Sequence, residues 1–86
     1  MVKLEDKIFI LIFSKKVRVV DICRYTGLYE AMIYQLRNGQ RKIENLTLKT
    51  ARILEECYDH YESYGVISFD DITIALNKAE AKGIKP

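Results

Sequence analysis

Two cysteines, one histidine, one proline and no tryptophan among 86 residues leave several kinds of protein without their usual materials. Cys23 and Cys57 stand far apart, with no CxxC pair and no histidine beside either, so the ligands of a zinc cluster and the pattern of a disulfide framework are both missing. Reduced thiols in a cytoplasmic chain are expected. The longest apolar run, 8–13, is six residues long and follows Glu5 and Asp6. A bilayer crossing needs about 18, so the sequence predicts neither a membrane segment nor an export signal. Scarce proline and glycine, with 49% apolar and 30% charged residues, exclude a low-complexity chain and predict one small folded domain. At this length the core is thin, and pairing with a second copy is a natural supplement.

Catalytic parts are lacking as well. No nucleophile has a recognisable base beside it, and neither a glycine-rich phosphate loop nor a catalytic carboxylate pair occurs, so no enzyme, cofactor or metal site is expected. Glu55, Asp59 and Glu62 share one helical face, but three carboxylates without a compact loop read as a solvated acidic surface. His60 is expected at the surface, with Glu56 one turn earlier as its available partner.

What is present is an uneven charge distribution. The overall net charge is +2, yet residues 15–52 carry nine basic against three acidic side chains, a net of +6. Residues 53–86 carry three basic against seven acidic, a net of −4. A basic half of this kind is the expected footprint of a polyanion, because each neutralised phosphate releases condensed counterions.

Apolar periodicity predicts five helices. Leu4, Ile8, Leu11 and Ile12 repeat at helical spacing, although Phe9, Ile10 and Phe13 make the segment apolar all round and keep a buried strand in competition. A short helix from 19 or 20 to 26 carries Val19, Ile22 and Cys23 on one face, and Gly27 stops it. Residues 28–38 set Leu28, Met32, Ile33 and Leu36 on one stripe before Asn38-Gly39, and 39–44 read as a basic loop. Asn45 or Thr47 caps the longest helix, whose apolar positions are Leu48, Ala51, Leu54, Cys57, Tyr58 and Tyr61, and which ends at Gly65. Ser68 with Asp70 and Asp71 opens the last helix, 69–82, with Phe69, Ile72, Leu76 and Ala79 as its stripe; the end, 84–86, is expected to fray. Tyr58, Tyr61, Tyr64 and Phe69 lie in the acidic half and are expected as core or dimer contacts.

The spacing within 19–38 is that of a helix-turn-helix. Two helices crossing over a short turn need a small residue where their backbones approach, a glycine in the turn, and apolar residues beneath the second helix. Cys23, Gly27, and the set Ile22, Leu28, Ile33 and Leu36 supply these. On these residues, with the tail Gln35-Leu36-Arg37-Asn38-Gly39-Gln40-Arg41-Lys42, the segment 15–57 resembles the helix-turn-helix of the lambda-type phage repressor and Cro family.

The resemblance implies an all-α, five-helix, lambda-repressor-like domain acting as a DNA-binding transcriptional regulator of phage or bacterial type, most simply a repressor. It implies that helix 28–38 enters the major groove with Tyr29, Glu30, Ala31, Tyr34 and Gln35 at the bases. Gln35 is suited to adenine, Glu30 to the cytosine amino group and Ala31 to a thymine methyl. Lys15, Lys16, Arg18, Asn38, Arg41 and Lys42 would grip the phosphate backbone. The implied partner is double-stranded DNA bound by a homodimer, with half-sites about 10 base pairs apart or a multiple of that. Segment 69–82, with Phe9 and Phe13 as further candidates, would form the dimer surface. The chain departs from the family pattern at Val19, where many relatives carry a phosphate-binding glutamine, and in the lack of Lys or Arg from 28 until Arg37. An interaction module that captures another regulatory protein, such as an antirepressor, is the alternative on the same fold.

Overall fold

The computed structural model describes residues 3–84. Among them are five α-helices and no strand: α1 (Leu4–Phe13), α2 (Val19–Thr26), α3 (Glu30–Arg37), α4 (Leu48–Ser63) and α5 (Ile72–Ala81), with single 3₁₀ turns at Ile43–Asn45 and Phe69–Asp71. Among the described residues no helix is long and apolar enough to cross a membrane.

The first segment is a helix, and its strand-like composition has a simple cause. Six consecutive residues, from Ile8 to Phe13, are buried because α1 runs through the middle of the molecule, packed against α3, α4 and α5. A helix with neighbours on every side has no polar stripe. Phe9 and Phe13 are only 6% and 3% exposed, with ring centroids 4.8 Å apart. They belong to the monomer core, which removes them as dimer contacts.

Around α1 the other helices present narrower faces. Ile22 of α2, Ile33 and Leu36 of α3, and Ala51, Leu54, Cys57 and Tyr58 of α4 are buried. Leu48 departs from the predicted stripe and is 62% exposed, since it occupies the first helical position directly after the cap. That cap is Thr47, whose Oγ1 accepts from the Thr50 N–H at 3.2 Å, so the choice between Asn45 and Thr47 is resolved. In α5 the buried positions are the small residues Ala75 and Ala79, while Ile72 and Leu76 pack at the flanks and Phe69 lies outside in its 3₁₀ turn. Alanine at the contact lets α5 approach α1 closely. The basic loop contains an ordered 3₁₀ turn whose Ile43, with the following Leu46, packs on the core. Ile84 also packs there; residues 85 and 86, within the segment expected to fray, lie outside the described residues.

Polar ties join the layers. The Lys7 ammonium of α1 sits 3.3 Å from Glu55 and 3.0 Å from Asp59 of α4, while Glu62 accepts from the Tyr58 hydroxyl at 2.9 Å. The carboxylates expected to form a solvated face do so, Asp59 and Glu62 being exposed and Glu55 partly so, while also pairing with these neighbours. Asp71, nearly buried, pairs with Lys16 at 2.8 Å and accepts from the Ser68 N–H at 2.9 Å. Burial pushes this carboxyl up, but Lys16 and the Ser68 N–H outweigh it and hold it below the usual carboxylate range. Burial pushes the Cys57 thiol up to about 12, so it stays protonated.

Candidate nucleic-acid interface

The turn between α2 and α3 is built by three residues. Gly27 takes φ +76 at the end of α2, a left-handed conformation that a side chain would strain, and its N–H donates to the Cys23 carbonyl at 2.8 Å. The Thr26 hydroxyl donates to the Ile22 carbonyl at 2.7 Å and accepts from the Leu28 N–H at 3.2 Å. Leu28 and Tyr29 continue the turn, so α3 begins at Glu30, two residues later than the apolar pattern predicts. Cys23 is half-buried where α2 packs on α3 and α4.

Helix α3 divides into two faces. Ile33 and Leu36 are fully buried beneath it, with Met32 half-buried beside them. Tyr29 is 83% exposed, Tyr34 is 51% exposed, and Glu30 and Ala31 are exposed with them. Gln35 is half-buried, and its Oε1 accepts from Arg41 Nε at 3.3 Å while its backbone carbonyl accepts from the Arg41 N–H at 3.1 Å. The predicted base reader and the predicted phosphate contact are thus one coupled unit. The Gln35 Oε1 has a second lone pair, so an adenine edge would share this acceptor with the long hydrogen bond from Arg41.

The predicted backbone contacts differ in availability. Arg41, Lys42 and Asn38 are exposed at and beyond the end of α3, with Glu44 at 4.0 Å from the Lys42 ammonium. Arg18 pairs with Asp21 at 2.9 Å on the surface, an exchangeable contact, whereas Lys16 is committed to the nearly buried Asp71. Lys15 is exposed and has φ +60, a left-handed backbone unusual for a residue with a side chain. The caps of α2 and α3, Arg18 and Tyr29, make no side-chain hydrogen bond to the first turn, leaving N–H groups of the kind that bind anions.

Sequence reasoning missed Arg37. Its Nε donates to the Ile12 carbonyl and its Nη2 to the Val17 carbonyl, each at 2.8 Å, tying the end of α3 to the end of α1 and the following turn. Burial pushes its guanidinium down from the ordinary range. The signal was available: Arg37 follows Ile33 by four residues and so shares its buried face. His60 is partly exposed. Instead of pairing with Glu56, its ring stacks on Tyr25 of α2 at 4.5 Å and meets the Tyr64 ring edge-on at 5.0 Å. Of the three tyrosines on α4 and its cap, Tyr58 is core, Tyr61 is half-buried and Tyr64 is exposed.

Among the described residues no group of His, Cys, Asp and Glu could hold a metal ion. Comparisons with protein-family models, with curated proteins and with solved structures return no match, so the arrangement of α2, the Gly27 turn and α3 stands on its own geometry.

Proposed function

We propose that this domain is a non-catalytic regulator that binds double-stranded DNA, with α3 in the major groove. The observation that carries the reading is the division of α3: Ile33 and Leu36 anchor it from below while Tyr29, Glu30, Ala31 and Tyr34 stand open beside Arg41 and Lys42. An α-helix with its side chains is about 10–12 Å across, which suits a groove about 12 Å wide. Uncapped N–H groups at α2 and α3 would meet phosphates on either side. The domain would act as a homodimer on a two-fold operator and repress by occluding a promoter, with Phe69 and Ile74, exposed in the last segment, among the apolar residues open to subunit contact.

One observation favours the alternative, a surface that captures another regulatory protein. With Arg37 turned inward, the open face of α3 presents tyrosines and a glutamate and no cation of its own. Selection of bound sequences from a random duplex pool, followed by titration between about 50 and 200 mM salt, separates the two readings. DNA binding weakens steeply over that range, by a slope set by the phosphates contacted. Recovery of no sequence, with weak salt dependence of whatever binding remains, would overturn the proposal.

A further inference from the structure

Three helices end at one place. Helix α1 ends at Ser14, whose carbonyl accepts from the Lys78 ammonium of α5 at 3.1 Å. Helix α3 ends at Asn38, and a Cβ on the next residue, Gly39, would lie 2.9 Å from the side chain of Ile84, just beyond the end of α5. Helix α5 ends at Lys82. Arg37 reaches across to the carbonyls of Ile12 and Val17, so four cations from three parts of the chain, Lys15, Arg37, Lys78 and Lys82, surround the turn between α1 and α2.

Helix ends attract cations, and that accounts for part of this cluster. Each C-terminus carries the equivalent of about half a negative charge, so three of them offset roughly 1.5 charges. Four cations leave about 2.5 over. Among the described residues no carboxylate lies within ion-pair distance of any of the four, in contrast to Lys7 and Lys16, whose partners are Glu55, Asp59 and Asp71. The like charges act on one another. Lys82 first, then partial burial, then Arg37 and Lys78, hold the Lys15 ammonium below its ordinary range. Arg37 is only partly buried. The left-handed backbone of Lys15 lies at the same spot, and strain of this kind persists where the surroundings or a ligand require it.

We infer that the turn between α1 and α2, with Lys15, Arg37, Lys78 and Lys82 gathered on it, seats one backbone phosphate of the bound duplex, a role that rests on the DNA-binding reading above. The seat lies at the C-terminal end of α3, one helix length from Tyr29, where a strand bordering the groove would pass. It draws α5, which the sequence offers only as a dimer surface, into the nucleic-acid contact. A backbone phosphodiester carries its single negative charge on two non-bridging oxygens, each able to accept from more than one of the cations gathered here.

The test uses a labelled duplex recovered by selection, an unrelated duplex, and the variants Lys15→Gly, Lys82→Gln and their combination. Lys15→Gly removes the ammonium while relieving the positive φ, so thermal melting is expected to be unchanged or slightly raised. Each single variant should bind both duplexes about 3- to 10-fold more weakly near 100 mM salt, and the double variant should reduce the slope of affinity against salt by about one in all, the share of the single phosphate seated there. Lys3→Gln, which removes the same charge about 15 Å away at the far end of α1, should leave that slope unchanged. Wild-type binding with an unaltered slope in the double variant would overturn the seat and leave the groove reading standing, as would an equal loss in Lys3→Gln. Failure of the wild type to bind any duplex would overturn the groove reading and the seat with it. If tens of millimolar inorganic phosphate shifts the Lys15 and Lys82 amide resonances while duplex affinity ignores both substitutions, the seat serves free phosphate and the duplex assignment falls.

Discussion

Helices α1 and α3 are close in length and opposite in use. α1 buries six consecutive side chains and touches three other helices, whereas α3 commits Ile33, Leu36 and Arg37 to the interior and leaves Tyr29, Glu30, Ala31 and Tyr34 outside. Stability is therefore concentrated around α1, and α3 is displayed on a platform that α1 completes. In a domain this small the two roles cannot be shared by one helix, because an apolar face on both sides of α3 would leave nothing to meet a partner.

The largest expected effect lies on the α1 side of this comparison. Leu11→Ala empties a fully buried site and should cost about 2–5 kcal/mol in chemical denaturation, enough to unfold much of the population. A loss below about 1 kcal/mol would show that α1 is not the central helix. Next is the link between the two helices. Arg37→Ala leaves the Ile12 and Val17 carbonyls without their donor and should cost about 2–3 kcal/mol, and Arg37→Lys should rescue little because one ammonium cannot reproduce the fork. Gly27→Ala meets no atom within 4 Å, so its cost is conformational alone, about 1–2 kcal/mol, with the melting temperature as readout.

A pH titration sharpens the same contrast. Asp71 is held below its unfolded value, so its contribution to stability is present above about pH 4 and is lost as pH falls through the lower folded value. Asp71→Asn should flatten the acid side of the stability profile; an unchanged profile would mean that the Lys16 pair contributes nothing. The smallest effect on folding belongs to α3. Tyr29→Ala and Tyr34→Ala should each shift stability by no more than about 0.5 kcal/mol while weakening duplex binding measurably. Loss of folding in either would show that the outer face is structural.

How legible each part was in the sequence follows the same division. Helices with one apolar face, α2 to α4, show it in their spacing, and Gly27, Thr47 and the Ser68-Asp71 pair announce their turns and caps. The inner and outer residues of α3 could be assigned directly, because Ile33 and Leu36 fix its orientation. α1 was ambiguous, since a helix surrounded by neighbours loses the polar stripe that betrays its period. The contact of α5 was misjudged toward its larger side chains, because close approach is made by Ala75 and Ala79, which carry little hydropathy signal. Charge counting failed where partners come from distant segments. Arg37, Lys16 and Lys78 all counted as cations along the chain, yet Arg37 and Lys78 support carbonyls and Lys16 answers Asp71. Pairings across 20 to 64 positions have no local signature.

The guanidinium of Arg37 grips the last turn of α1 and the strand of backbone that follows it. The tilt of α3 is consequently inherited from the oiliest helix in the molecule. A repacking of that buried core would be passed through Arg37 to the outward tyrosines of α3. Under the proposed groove reading, preference among duplexes would drift through changes that leave the visible surface intact.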